Sequence, residues 1–137
     1  MRSKIKILKL NPFEKDYSEA VARLYEFEGW ISEKDDVSKI NLAIKNSFCA
    51  FGAFDESGQM VGFFRALSDG VGDAYLLDLI VDPNFRKMGI AQSLAESVLA
   101  ELKKCGLDWI TCISTPMAKP VYSKFGREME NFSPFRF

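Results

Sequence analysis

One stretch of the sequence, residues 76–104, limits the possible folds more than any other. It starts with an apolar run at 76–81, which predicts a strand covered on both faces of a sheet. After a short loop, apolar side chains recur at helical spacing through residues 90–104, which indicates an amphipathic helix. A strand that leads through a short loop into a helix can bind phosphate, because the first amides of the helix have no internal partner. The sequence therefore predicts an α/β fold with an anion site at this junction.

The loop itself, Asn-Phe-Arg-Lys-Met-Gly-Ile-Ala at residues 84–91, supports that interpretation. Gly89 allows a ligand to approach the backbone closely, and Ala91 is small. Arg86 and Lys87 add positive charge at the mouth of the loop. The loop lacks the Gly-Lys-Ser/Thr ending of a nucleotide-triphosphate loop and the three glycines of a dinucleotide fingerprint. The pattern that remains is Arg-x-x-Gly-x-Ala.

This pattern, with Val-Asp-Pro at 81–83 just upstream, resembles the coenzyme A loop of the Gcn5-related N-acetyltransferases, the GNAT family. Residues 118–126 are similar to the C-terminal helix of that family, where Tyr is followed two residues later by Lys and four later by Gly. The resemblance covers most of the chain and is weakest before Phe48 and after Gly126. It implies a single N-acetyltransferase domain over residues 1–137, with acetyl-CoA as the co-substrate.

Length and composition exclude several classes of protein. The 137 residues are enough for one hydrophobic core, and a 47% share of hydrophobic residues excludes a disordered chain. A net charge of −1 gives no overall field that would attract nucleic acid or an anionic membrane. No apolar run approaches the roughly 20 residues that a membrane span needs, and nothing resembles a secretory signal. We therefore expect a cytoplasmic protein without nucleic-acid or membrane partners.

The sequence contains no histidine, which removes the commonest general base and the commonest metal ligand. The three cysteines are odd in number and are not in metal-ligand spacing, so we expect reduced thiols and no metal. Any proton transfer must then use a carboxylate, Tyr, Lys, Cys, the backbone or water.

Periodicity and turn residues predict the remaining elements. We predict strands at residues 4–10, 48–54, 60–67, 75–81, 109–113 and 128–137. We predict helices at residues 13–27, 32–46 (capped by Ser32), 90–104 and 117–125. The resulting order, β-α-α-β-β-β-α-β-α-β, is that of a single-domain α/β protein whose mixed sheet is flanked by helices. It matches the fold of the acetyltransferase family.

The resemblance also implies which residues hold the coenzyme. Backbone groups of Leu79, Ile80 and Val81 would hydrogen-bond to the pantetheine arm as a substitute strand. The pyrophosphate would lie against Arg86, Lys87, Met88, Gly89, Ile90 and Ala91. Gln92 at the start of the helix could add a contact, and Thr115 stands near a position where the family often has Asn. The alternative is an ordinary core strand followed by an ordinary strand-to-helix turn.

Two residues are candidates for proton transfer. Tyr122 matches the general acid of the family, and a phenol with an ordinary pKa of about 10 stays protonated at neutral pH and can donate to a leaving thiolate. Asp78 lies within an apolar strand, where burial would make a carboxylate a better proton acceptor. The alternatives are a packing tyrosine and a structural carboxylate bonded to loop amides. If water removes the proton of the amine, no dedicated base is needed.

The resemblance places the acceptor pocket at the junction of the two N-terminal helices. There, Trp30 with Phe27 and Tyr25 could form an aromatic wall for an amine, through apolar and cation–π contacts. Core packing is the alternative for these rings. Arg65 and Asp69 lie close to the predicted site in sequence, and Asp69 could bind a cationic amine. Exposure to solvent is the alternative for both.

The sequence therefore predicts an acetyl-CoA-dependent N-acetyltransferase that acetylates a primary amine of a small molecule or peptide by direct attack. The alternative is a non-catalytic acyl-CoA-binding module that acts as a sensor or interaction partner. Phe132, Phe135 and Phe137 form an apolar C-terminal end, which favours a homodimer. The same residues could instead close the core of the monomer.

Overall fold

A mixed five-stranded sheet organises the chain, and the computed structural model describes residues 4–137 of it. The strands are β1 (Lys6–Lys9), β2 (Cys49–Phe54), β3 (Met60–Ser68), β4 (Asp73–Val81) and β5 (Trp109–Cys112). The helices are α1 (Ser18–Phe27), α2 (Lys39–Lys45), α3 (Ile90–Lys104) and α4 (Lys119–Tyr122). The strands lie in the order β1-β2-β3-β4-β5, and only the pair β4–β5 is parallel. The predicted fold class, a mixed sheet flanked by helices, is confirmed.

Two clusters of buried side chains hold the helices against the sheet. The cluster on the α3 side includes Phe64, Leu94, Val98, Leu102 and Leu107. The cluster on the side of α1 and α2 includes Val21, Leu24, Ile44, Phe63 and Ile80. Phe63 and Phe64 are neighbours in β3 and enter different clusters, because successive side chains of a strand point to opposite faces. Burial of each such side chain contributes on the order of 2 kcal/mol.

Helix α3 packs unusually close to β3 because the strand has a glycine beneath it. A Cβ added at Gly62 would lie 3.0 Å from a methyl carbon of Ile90 and 3.0 Å from one of Leu94. Both of those residues belong to the first turns of α3 and are buried. The absence of a side chain at Gly62 therefore allows the first turns of α3 to lie this close to the sheet. Within residues 4–137, none of the helices has the length and apolar character to cross a membrane.

The second helix begins at Lys39, and the predicted start at Ser32 is wrong. Residues between them form local turns, in which the Ser32 amide donates to the Asp35 carboxylate at 2.6 Å and the Ser38 amide to Asp36 at 3.1 Å. Such side-chain bonds to nearby amides compete with helix formation. The first helix likewise begins later than predicted, at Ser18.

The predicted last strand, residues 128–137, is also wrong, because the described chain has no regular structure there. Phe132, Phe135 and Phe137 are exposed and so do not close the core of the monomer. Pro134 has no amide hydrogen to donate to a neighbouring strand, which disfavours pairing at this point. In the described chain β5 is therefore left as one edge of the sheet.

Candidate functional site

The candidate site begins where β4 and β5 separate. Their parallel pairing ends at Leu76, which lies opposite Cys112. Strand β4 continues to Val81 while it stays paired with β3 on its other edge. The edge that faces away from β3, with Leu79, Ile80 and Val81, has no strand partner in the described part of the chain. We call it the open edge of β4, and its backbone groups can bond to a strand-like ligand.

A bulge in β4 accompanies the separation. Along β3, Phe63 and Arg65 are two positions apart, whereas their partners Ile80 and Leu77 are three positions apart, so β4 contains one extra residue. Asp78, between those partners, has a φ of 64°, a left-handed conformation that is uncommon outside glycine. A bulge bends its strand and increases the local twist. It therefore turns the residues that follow Asp78 away from the line of β5.

The Asp78 carboxylate is held by two donors from other elements. Arg65 Nε donates to its Oδ2 atom at 2.7 Å, and the Tyr25 hydroxyl donates to the same atom at 2.8 Å. Arg65 also donates to the Ser47 hydroxyl at 3.3 Å. Burial, together with the neighbouring carboxylate, raises the pKa of the Tyr25 phenol, which therefore stays protonated and able to donate. Asp78 is thus bonded to side chains and, within residues 4–137, not to loop amides.

An aromatic group lies beside this carboxylate. The Tyr25 ring is 5.4 Å from the Trp30 ring and 6.2 Å from the Phe63 ring, measured between centroids. Trp30 is 43% exposed, so part of its ring faces solvent next to the cluster. Phe27 contacts a different side chain. Its ring lies 5.3 Å from the guanidinium carbon of Arg23.

Asp69 is also placed apart from the cluster. It lies in the exposed loop that precedes β4, at the end of the strand away from the open edge. Its carboxylate accepts a hydrogen bond from the Val71 amide at 2.8 Å, which closes its own turn. The structure therefore brings Tyr25, Trp30 and Arg65 together around Asp78 and leaves Asp69 outside.

Tyr122 lies near the opening between β4 and β5. Its ring packs against Phe64, with 6.2 Å between the centroids. Burial raises the pKa of its phenol, and the nearby groups of Cys112, Tyr75 and Asp78 add to that rise. No hydrogen bond to the hydroxyl is found among the described residues. A protonated phenol with a free hydroxyl can donate a proton to a leaving group.

The loop after β4 has the conformation expected of an anion site. Lys87 and Gly89 both have a positive φ, of 63° and 77°. Apart from the neighbouring residues of the chain, no atom of residues 4–137 lies within 4 Å of the position that a Cβ would take at Gly89, so a ligand can approach the backbone there. Helix α3 begins at the next residue, Ile90, without a side-chain cap. The first amides of α3 are therefore available to bind the oxygens of a phosphate group.

A buried ion pair, which the sequence analysis missed, anchors the start of this loop. Asp82 is fully buried, and one of its oxygens contacts the guanidinium of Arg23 in α1. The other oxygen accepts from the Asn84 amide at 2.9 Å, and Arg23 donates to the Met60 carbonyl at 3.0 Å. In the sequence, this ion pair is indicated only by a single acidic residue, Asp82, between an apolar strand and Pro83.

Several predicted binding residues already have partners at the mouth of the loop. Arg86 donates to the Glu28 carboxylate at 3.1 Å. Gln92 accepts from the Lys124 ammonium at 2.9 Å, so Lys124 reaches the first turn of α3, which the sequence analysis also missed. The Thr115 hydroxyl accepts from the amide three residues later at 3.3 Å, in the turn that leads into α4.

Metal-ligating groups do not converge anywhere in the described residues. The three cysteines are free thiols, with Cys49 buried, Cys112 partly buried and Cys105 exposed. Burial raises the pKa of the Cys49 thiol to about 11 and also raises that of Cys112. Neither thiol is thus activated as a nucleophile at neutral pH.

Comparison with known proteins agrees with this geometry. A family model described as an acetyltransferase (GNAT) domain matches residues 15–132. The uncharacterized N-acetyltransferase ycf52 of Pyropia yezoensis is 29% identical over 112 residues, which cover 75% of this chain and 63% of that protein. The chain spans less than two thirds of the length of the curated relatives it matches.

Two solved structures share the fold at low sequence identity. One is a protein of unknown function, described as a probable acetyltransferase, from meticillin-resistant Staphylococcus aureus. It has a TM-score of 0.82 and 15% identity, with 98% of each chain covered. The other, from Clostridium acetobutylicum, is described as a predicted acetyltransferase with acetyl-CoA. It has a TM-score of 0.73 and 18% identity, with 97% of this chain and 96% of that one covered.

Proposed function

Since this chain belongs to the GNAT family of acetyltransferases, we propose that it transfers the acetyl group of acetyl-CoA to a primary amine of a small molecule or peptide. One observation carries the proposal. A path runs from the open edge of β4 through residues 82–89 to the uncapped start of α3, and the Tyr122 ring packs against Phe64 on the α3 side of the sheet. The path offers hydrogen bonds for a strand-like arm at one end and a site for phosphate at the other.

The coenzyme fits the groups that line this path. Backbone atoms of Leu79, Ile80 and Val81 would bond to the amides of the pantetheine arm, as a neighbouring strand would. The first amides of α3 would hold the pyrophosphate, because the positive end of the helix dipole favours negative charge. The left-handed residues Lys87 and Gly89 shape the loop around that position, and in the described residues the space above Gly89 is open.

In the proposed reaction the chain positions two reactants and moves one proton. The thioester of acetyl-CoA supplies an activated acetyl group. Binding an amine next to that group replaces a collision in solution with an oriented attack. Tyr122 would donate its proton to the sulfur that leaves, since its raised pKa keeps the phenol protonated. Water would take the proton of the amine, and a base role for Asp78 remains a prediction.

The acceptor pocket would lie on the α1 side of the sheet, next to Asp78. Trp30 is the partly exposed ring there and would contact the acceptor through apolar and cation–π interactions. Tyr25 and Arg65 support that position. Binding roles for Phe27 and Asp69 remain predictions, since neither joins the cluster. A cytoplasmic location and a homodimer also remain predictions.

Two measurements on the purified protein test the proposal. Calorimetric titration with acetyl-CoA tests binding, and a panel of polyamines, arylalkylamines, amino sugars and peptides tests turnover, followed by loss of thioester absorbance. Binding and turnover with one class of amine support the proposed enzyme. Binding without turnover for any amine supports the alternative, an acyl-CoA-binding module. No binding overturns both.

A further inference from the structure

Three polar side chains meet behind the bulge, on the α1 side of the sheet. They are Tyr25 from α1, Arg65 from β3 and Asp78 from β4. The Arg65 side chain is 15% exposed and the Asp78 side chain 22% exposed, so this ion pair is largely removed from water. A buried ion pair often stabilises a protein no better than packed apolar side chains would. Its presence here therefore calls for a reason other than stability.

The backbone of Asp78 supplies that reason. Its left-handed φ of 64° is unfavourable for a residue with a Cβ, and such a conformation persists only where the surroundings fix it. Arg65 and Tyr25 donate to the same carboxylate oxygen from two other elements. Hydrogen bonds to a charged group are strong enough to offset one left-handed residue. The two donors thus hold Asp78 in the conformation that forms the bulge.

The bulge lies where β4 has just separated from β5, immediately before the open edge. We infer that Tyr25 and Arg65 form a clamp on Asp78, and that Asp78 is a positioning residue that aligns the open edge for the thioester. This inference rests on the proposed function. It gives Asp78 a role other than that of general base. A protonated Asp78 would lose its ion pair with Arg65, so proton uptake during the reaction would weaken the clamp.

Tyr25 extends the effect of the clamp to the acceptor side. Its hydroxyl bonds to Asp78 while its ring packs against Trp30, 5.4 Å away. The same side chain therefore connects the wall of the proposed acceptor pocket with the strand that holds the thioester. A change at Tyr25 should disturb the binding of coenzyme although Tyr25 lies on the opposite side of the sheet from α3.

Two substitutions of Asp78 separate positioning from base catalysis. Asp78→Asn keeps an oxygen that can accept from both donors and tolerates a positive φ, but it cannot act as a base. Asp78→Ala loses the oxygen and disfavours that φ. We expect Asp78→Asn to keep the pH profile of kcat unchanged and to weaken acetyl-CoA binding less than Asp78→Ala does, because the amide oxygen keeps both hydrogen bonds while the charge of the pair with Arg65 is lost. We expect Asp78→Ala to weaken acetyl-CoA binding by about tenfold or more, since the open edge loses its alignment.

A third variant tests the clamp without changing any charge. Tyr25→Phe removes one donor and keeps the ring, and we expect KM for acetyl-CoA to rise several-fold with an unchanged pH profile. Tyr17→Phe is the matched control, because Tyr17 lies at the start of the same helix and does not contact Asp78. Thermal unfolding and circular dichroism show whether each variant is folded. If an Asp78 variant does not fold, the acetyl-CoA affinity of Tyr25→Phe tests the clamp in its place.

The outcomes are distinguishable. Loss of turnover in Asp78→Asn as large as in Asp78→Ala, with loss of the rise in kcat with pH, would make Asp78 the base and overturn the inference. Wild-type affinity for acetyl-CoA in folded Asp78→Ala and Tyr25→Phe would also overturn it. If the wild type binds acetyl-CoA and only the variants lose affinity, the clamp is supported. If the wild type itself does not bind, the proposed function fails and the inference falls with it.

Discussion

Replacing Tyr122 by Phe removes one hydroxyl and leaves the ring that packs against Phe64. We expect kcat to fall by roughly 10²-fold or more, the usual scale for one positioned acid, with little change in acetyl-CoA affinity or stability. The effect falls on kcat because negative charge develops on the sulfur only as it leaves. Steady-state kinetics with calorimetry measures both quantities. Tyr17→Phe, a phenol at the start of α1, is the control. A fall of less than about threefold, with chemistry rate-limiting, would make Tyr122 a packing residue.

The raised pKa of Tyr122 also predicts how the rate depends on pH. Burial moves this pKa above its ordinary value of about 10, and a group with a raised pKa keeps its proton to higher pH. The acid form is therefore present throughout the neutral and mildly alkaline range. We expect kcat to rise with pH as the acceptor amine loses its proton. We expect no decline of kcat until the pH exceeds about 10. A profile of kcat that declines between about pH 7 and 9 would point to a different proton donor.

Residues that belong to a short sequence motif could be identified from the sequence, whereas pairings between distant elements could not. Tyr122 and the loop around Gly89 each lie in a short motif that resembles the acetyltransferase family. The pairing of Asp78 with Tyr25 and Arg65 depends on packing between three elements, and no local pattern announces it. The sequence thus identified Asp78 as a candidate functional carboxylate and did not predict its two hydrogen-bond donors.

At the scale of elements, α3 was predicted with its observed limits, Ile90–Lys104. Its apolar spacing is regular, and glycines stand just before and just after it, so pattern and end signals agree. The second helix and the predicted C-terminal strand lacked that agreement. Asp and Ser side chains form turns where a longer helix was expected, and the phenylalanine-rich segment around Pro134 does not pair with a strand. Spacing alone cannot indicate whether a partner strand exists.

The loop before α3 can be tested by one substitution. We expect Gly89→Glu to abolish acetyl-CoA binding in a folded protein, because the new side chain fills the open space and places negative charge against the pyrophosphate. Calorimetry and circular dichroism measure binding and folding. Gly58→Glu is the matched control, since Gly58 also has a positive φ and an open surrounding but lies in the turn between β2 and β3. Unchanged affinity in folded Gly89→Glu would remove the loop assignment.

The contact between α3 and β3 makes a separate prediction about stability. Gly62→Val places methyl groups where Ile90 and Leu94 already lie, and overpacking of this kind destabilises by about 1–3 kcal/mol. The free energy of unfolding in urea measures the change. Gly72→Val is the control, because no atom lies within 4 Å of its added Cβ. We expect that control to change stability by no more than about 0.5 kcal/mol. Equal stability of the two variants would show that α3 moves to accommodate the new side chain.

At the scale of the whole molecule, the C-terminal segment leaves apolar surface uncovered. Phe132, Phe135 and Phe137 are exposed, and the Phe132 ring lies 6.4 Å from that of the exposed Trp109 on edge strand β5. Exposed aromatic clusters of this kind favour association. We expect a homodimer at micromolar concentration, measured by sedimentation velocity, and a monomer after Phe135→Asp. A wild-type monomer under the same conditions would contradict the prediction, and Phe13→Asp, at an exposed ring that lies beside Lys45 of α2, is the control.

The position of the open edge also affects how the protein avoids aggregation. Unpaired strand edges on the rim of a sheet act as templates on which other chains add as strands. Here the rim position next to the opening belongs to β5, which is only four residues long. The open edge of β4, by contrast, lies inside the sheet, between two of its own strands. A foreign polypeptide strand has side chains on both faces and needs more width than a pantetheine arm, whose β-alanine and cysteamine parts are unbranched. The fold can therefore keep unpaired amides ready for its ligand without offering them to other proteins.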